Sequence, residues 1–100
     1  MQRITIQYAV PADIDTFDRR YFSEHVPLVA KLPGLASFTW SKPRPLGGDQ
    51  IIYLVAELDF ADATALKTAL KSSEMAAAGQ NAAGLGVSMT MFSGEVVAAV

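Results

Sequence analysis

The chain carries a single histidine, His25, and no cysteine, so acid–base or nucleophilic chemistry has few places to start. His25 stands in "FDRRYFSEHVPLVAKLPG", residues 17–34, two positions ahead of Pro27. Imidazole is the side chain whose ordinary pKa lies nearest neutrality, which suits it to act as a general base or as a hydrogen-bond partner for a bound molecule. Pro27 lacks an N–H to give to the carbonyl of Ser23, and its ring crowds that carbonyl at a cost of roughly 3 kcal/mol in a regular helix. Val26, the residue before a proline, is biased away from helical angles. Together they predict a kink or break near residues 24–26, with Pro27 opening a last helical segment. His25 then faces inward with Tyr21, close to exposed carbonyls. Two uses of the imidazole are open. Bonded to a freed carbonyl or a nearby tyrosine, it holds the fold together; in a cleft between helix and sheet, it touches a ligand.

Rival groups are few. Glu57 ends an apolar run, "IIYLVAELDF", and is either a partly buried carboxyl or, more simply, the ion-pair partner of a neighbour such as Arg3 or an exposed strand-end residue. Tyr8, Trp40 and Tyr53 are candidates for an aromatic pocket, although strands also recruit aromatics simply to pack. Zinc needs about three or four His, Cys or carboxylate ligands. "DIDTFD" offers Asp13, Asp15 and Asp18, but helix capping explains these acids more simply. "GLGVS" (84–88) contains G-x-G, yet it lies between a helix and a strand and lacks a third glycine. A dinucleotide site requires strand, loop, then helix. There is no P-loop and no G-x-S-x-G elbow, and a Ser-His-Asp triad could draw only on His25.

Totals narrow the function further. One hundred residues with a net charge of −2 form one domain, residues 1–100, without the clustered basic face that nucleic-acid binding requires. No apolar stretch approaches the roughly 18–20 residues that span a membrane, and "MQRITIQYAV" alternates like a strand rather than like a secretory segment. The absence of cysteine fits a cytoplasmic setting. An apolar share of 51% is high for so small a monomer, which points to a surface shared with another chain.

The elements that position His25 follow from periodicity. Residues 2–10 alternate, with Ile4, Ile6, Tyr8 and Val10 on one face and Arg3, Thr5 and Gln7 on the other: a strand. Pro11 ends it, and Asp13 or Asp15 caps a helix in which Phe17, Tyr21, His25, Leu28 and Leu32 fall within an arc of roughly 80°. Lys31, Pro33 and Gly34 stop that helix. A strand at 35–41 with Phe38 and Trp40, a loop at 42–49 and a strand at 50–60 come next. The last of these is apolar on both faces and therefore central. Asp62 caps a second helix with Phe60, Leu66 and Leu70 inward, restarted near Ser72-Ser73. Residues 87–100 form the final strand, with a bulge or bend at Ser93-Gly94.

The order β-α-β-β-α-β closes, through right-handed crossovers, into a ferredoxin-like α+β fold: a four-stranded antiparallel sheet with both helices on one face. The other face stays bare in one copy. Since the strand at 50–60 is apolar on both sides, a second copy covering it is the economical solution, giving a homodimer through the sheet face and a barrel-like assembly.

With these elements placed, Phe17, Tyr21-Phe22, His25-Val26-Pro27-Leu28 and Lys31-Leu32-Pro33-Gly34-Leu35 resemble the EthD family of small dimeric α/β-barrel proteins. "VAELDF", "SSE" and "MFSGEV" extend the resemblance over essentially the whole chain, although "KSSEMAAAG" lacks the proline that many relatives carry after the serines. The resemblance implies a dimer with a cleft beside the family's histidine, and the family is associated with breakdown of ethyl tert-butyl ether in bacteria. Proteins with the same dimeric barrel include cofactor-free monooxygenases, muconolactone isomerases and haem-dependent enzymes, and fold alone does not carry function between them. The haem enzymes need an axial ligand and usually longer chains, so no cofactor is expected here. Three functions remain open. The first is a cofactor-independent enzyme with His25 as general base or hydrogen-bond donor to a small aromatic or carbonyl compound in a catabolic pathway, oriented by Tyr21, Tyr53 and Trp40. The second is a binding module holding a small hydrophobic molecule in the same cleft, and the third a dimer without a working pocket.

Overall fold

The alternation of the N-terminal residues produces β1 (Gln2–Ala9), which bonds to a strand on each side. The computed structural model describes residues 1–100. After β1 come α1 (Ile14–Arg20), a π-helical turn (Tyr21–His25), α2 (Val26–Val29), β2 (Leu35–Ser41), β3 (Ile52–Phe60), α3 (Ala63–Leu70), α4 (Ser73–Ala83) and β4 (Met89–Glu95). The sheet is antiparallel throughout in the order β2-β3-β1-β4. Its helices lie over one face, as the ferredoxin-like α+β reading predicts.

Local chemistry sets the element ends. Asp13 caps α1 by accepting from the Thr16 N–H at 3.0 Å, and Asp62 caps α3 through the Ala65 N–H at 2.8 Å. Ser72 caps α4 through the Met75 N–H at 3.1 Å, at the expected Ser72-Ser73 break. Each such cap satisfies a backbone donor that the first helical turn leaves without an intrahelical partner. Gly34, at φ 73°, supplies the left-handed residue that ends the first helical run before β2.

The first helix departs from expectation in an informative way. No break occurs at residues 24–26, and Val26 keeps helical angles. The helix instead widens into one π turn, closed by the Val26 N–H bonding to the Tyr21 carbonyl. A single inserted residue relieves the proline within a continuous helix, and such π bulges recur at functional sites. The insertion also moves the buried stripe. Phe17, Tyr21, His25, Val29 and Leu32 face inward, whereas the predicted Leu28 is only half-buried.

The core lies between this stripe and the covered sheet face, where Ile4, Ile6 and Tyr8 of β1 meet Leu54, Ala56, Leu58 and Phe60 of β3. Tyr8, Phe17 and Tyr21 form an aromatic nucleus with ring centroids 5.5–5.6 Å apart. Further differences from the sequence reading concern ends and faces. β1 stops before Val10 and β3 starts after Ile51, both of which are exposed. Leu70 points outward while Ala69 is buried. β4 ends at Glu95, and it pairs with β1 from Met89 to Glu95 with no bulge at Gly94. The bulge lies in β3 instead: Tyr8 pairs with Leu54 and Ala9 with Ile52, leaving Tyr53 unpaired. An unpaired residue can turn its side chain to the other face, and the Tyr53 ring packs 5.6 Å from Phe17 on the helix side.

Candidate functional site

Apolar residues of several elements, Leu58 of β3 among them, frame a cleft between the helices and the covered sheet face. β1 contributes Ile4, Ile6 and Tyr8, the first helical run His25 and Val29, α4 Met75 and Ala78, and β4 Met89 and Met91. The cleft encloses about 430 Å³ of empty space with its mouth included, and about 60 Å³ of it forms a cavity proper. Only His25 and Tyr8 bring strongly polar side-chain groups to its lining. β4 is exposed along its length, so Met89 and Met91 form a soft, polarisable rim.

His25 is 3% exposed. The π turn aims its ring between β1 and α4. Nε2 lies 3.4 Å from the Tyr8 hydroxyl and Nδ1 lies 3.1 Å from Oδ1 of Asn81. Asn81 in turn donates through Nδ2 to Oε1 of Glu24 at 3.2 Å. Glu24 pairs with Arg20 at 3.5 Å, and the same arginine donates to the Gly84 carbonyl at 2.6 Å. A chain of polar contacts thus runs from the helix surface to the cleft. Burial lowers the pKa of His25 below its ordinary 6.5, while the Asn81 bond works the other way. The ring is accordingly neutral at pH 7. Burial also pushes the Tyr8 hydroxyl up to about 12, so it remains an O–H donor at any physiological pH.

The other sequence-predicted residues lie elsewhere. Tyr21 is fully buried behind His25, with ring centroids 5.3 Å apart, and its hydroxyl has no hydrogen-bond partner in the protein. Burial, reinforced by the nearby Tyr8, raises its pKa. Tyr53 donates its hydroxyl to Asp18 at 2.9 Å, and Lys42 reaches the same carboxylate at 2.7 Å while lying 5.0 Å from the Tyr53 ring centre. Trp40, about half exposed, packs at a tilt against Phe22, with ring centroids 4.7 Å apart. Neither Tyr53 nor Trp40 lines the cleft that holds His25. Glu57 forms an ion pair with Arg3 at 2.9 Å on the opposite sheet face, one of its two simpler expected roles.

Sequence reasoning missed Asn81 and the methionine rim. Asn81 had a signal. It sits beside the buried Ala78 and Ala82 of the alanine-rich α4, and a polar side chain on such a stripe needs a partner.

Comparison with known proteins bears on this geometry. The family model described as EthD domain matches residues 11–84, which include the π turn, His25 and Asn81. This chain belongs to the EthD family. A 40% identical relative from Rhodococcus erythropolis, an uncharacterised 11.0 kDa protein of the thcB-thcC intergenic region, aligns over 83% of this chain and 78% of its own. Among solved structures, an EthD family protein from Bacillus halodurans is 30% identical, with a TM-score of 0.87 over 97% of this chain and 99% of that one. More distant structures share the fold alone. SnoaB of Streptomyces nogalater, a cofactor-independent oxygenase, superimposes with a TM-score of 0.68 at 15% identity, covering 95% of this chain and 91% of its own. A dimeric ferredoxin-like protein of unknown function from Thermobifida fusca does so at 0.72 and 11%, covering 95% and 90%. The EthD match stops short of β1 and β4, the strands that bring Tyr8, Met89 and Met91 to the cleft.

Proposed function

We propose that this EthD protein is a cofactor-independent enzyme that binds a small aromatic or carbonyl compound of a catabolic pathway in the apolar cleft, with His25 as the group that acts on it. The observation that carries this reading is a neutral imidazole set among apolar side chains, where an apolar molecule would be desolvated directly against it. An acid or base in such a site is worth far more than in water, because little solvent competes for its proton. SnoaB, a cofactor-independent oxygenase, shares this scaffold, so the fold can host such chemistry, although it does not by itself carry it to this chain.

His25→Ala tests it. With the compound class found by screening small aromatics and carbonyl compounds for turnover, the variant loses at least about 100-fold in kcat/KM if the imidazole is the base. A second reading, a binding module without turnover, is favoured by the almost wholly apolar lining of the cleft. In that case His25→Ala costs about 1 kcal/mol of ligand affinity and no turnover exists to lose.

A further inference from the structure

The contacts of Asn81 and Glu24 bear on which nitrogen of His25 carries the imidazole proton. A carboxylate accepts hydrogen bonds and cannot donate. Glu24, held by Arg20, therefore selects the NH₂ end of the Asn81 amide, and Nδ2 meets it at 3.2 Å. The carbonyl end must then point at His25, where Oδ1 lies 3.1 Å from Nδ1. An amide oxygen only accepts, so Nδ1 carries the imidazole proton. Nε2 is left with its lone pair directed toward Tyr8, whose hydroxyl donates to it over a long 3.4 Å. The opposite tautomer requires Asn81 to turn over and set its oxygen against the Glu24 carboxylate, two acceptors face to face.

We propose that Asn81, oriented by Glu24, is a positioning residue that fixes Nε2 of His25 as a hydrogen-bond acceptor, so that the cleft selects small apolar molecules bearing an acidic O–H, a phenol or an enol. The inference rests on the small-molecule reading of the cleft for its ligand class, while the tautomer stands on the contacts of the free protein. A ligand O–H displaces the long Tyr8 contact and donates to Nε2. If its proton crosses, the products are a bound oxyanion and an imidazolium whose Nδ1–H remains bonded to Asn81, with the Glu24 carboxylate behind. Tyr8, released from Nε2, supplies the hydroxyl donor nearest that oxyanion.

A single histidine makes the test direct. Long-range ¹H–¹⁵N correlation of ¹⁵N-histidine-labelled protein at neutral pH should show one Nδ1–H tautomer. Asn81→Ala should shift the larger share to the Nε2–H form, and Glu24→Gln, a milder change at an exposed carboxyl, should produce a mixture even if the alanine variant folds poorly. A wild-type spectrum showing Nε2–H overturns the inference, and so does a tautomer unchanged in both variants. Phenol and anisole, matched rings with and without an O–H, then probe the ligand class. Phenol should bind about tenfold more tightly, the worth of one hydrogen bond, and should shift the Nε2 resonance. Equal affinity overturns the ligand class. Binding of neither, with the Nδ1–H tautomer intact, removes the small-molecule reading of the cleft while the positioning role of Asn81 stands.

Discussion

At the scale of single residues, burial acts in opposite ways on two ring side chains, His25 and Tyr21. His25 is neutral in the fold because burial disfavours its charged form, so the unfolded chain binds the extra proton first. With the folded pKa below the ordinary 6.5, stability is fully present above about pH 6.5 and falls as the pH drops through and below that value. Thermal melts between pH 7.5 and 5 should show this decline in the native protein and a weaker one in His25→Phe. Tyr21 makes the opposite kind of contribution. Its hydroxyl is buried without a protein partner, and such a group costs about 1–3 kcal/mol. Tyr21→Phe should therefore raise stability by about 1 kcal/mol in urea unfolding. A large loss of ligand affinity in that variant would instead make the hydroxyl part of the binding site, the role that its place on the helix face beside His25 first suggested. The histidine was legible in the sequence because it had no competitor. Its tautomer was not, since Asn81 lies 56 positions away and only the packing of α4 against the first helix brings them together.

At the scale of elements, caps and strands were legible because their causes are local. Asp13, Asp62 and Ser72 each bond to an N–H three residues on. Two irregularities were not, because each is a choice between relaxations of similar cost. Pro27 could have broken its helix, but one π turn accommodates it and keeps the helix continuous. Tyr53 could have followed the strand alternation to the far face, but a bulge turns it to the core. The π turn makes a prediction of its own. Pro27→Ala removes the ring that crowds the Ser23 carbonyl, and a regular α-turn then fits one fewer residue, rotating His25 by about 100°. The variant should fold with unchanged or higher thermal stability, yet its His25 ¹⁵N signals should lose the signature of the Asn81 bond. An unchanged spectrum would mean that the aromatic nucleus, and not the proline, imposes the π turn.

At the scale of the whole molecule, the uncovered sheet face decides how copies associate. The Cα envelope measures 37 × 36 × 17 Å, a two-layer slab with one face of the sheet open, and two structural neighbours of this fold, from Bacteroides fragilis and Thermobifida fusca, are dimeric. The expectation that this face is apolar on β3 needs correction. With Tyr53 turned inward, the face presents Val55, Glu57 and Asp59 on β3, Arg3 on β1 and Phe92 on β4. Its charges are paired within the chain. Arg3 bonds Asp59 bidentately at 2.7 and 3.1 Å and Glu57 at 2.9 Å, and Ser37 donates to Asp59 at 3.1 Å. The Arg3 guanidinium holds the Asp59 carboxyl below its ordinary range. A partner covering this face would strand no unpaired ion, so the polar cluster is compatible with a homodimer through the sheet, which we propose. The driving surface would then be Val55 and the half-exposed Phe92, flanked by more acidic than basic groups. Phe92→Glu removes the largest apolar side chain of that face and adds a charge of the dominant sign facing its own copy across a two-fold axis. Native mass spectrometry should show a dimer for the unaltered protein and at least about a tenfold weaker one for the variant, with the His25 spectrum unchanged because the cleft opens on the other face of the sheet. A dimer insensitive to Phe92→Glu would move the interface to the exposed edge of β4. The methionine rim of the cleft would then lie beside the partner, and ligand binding would become concentration-dependent in the protein itself.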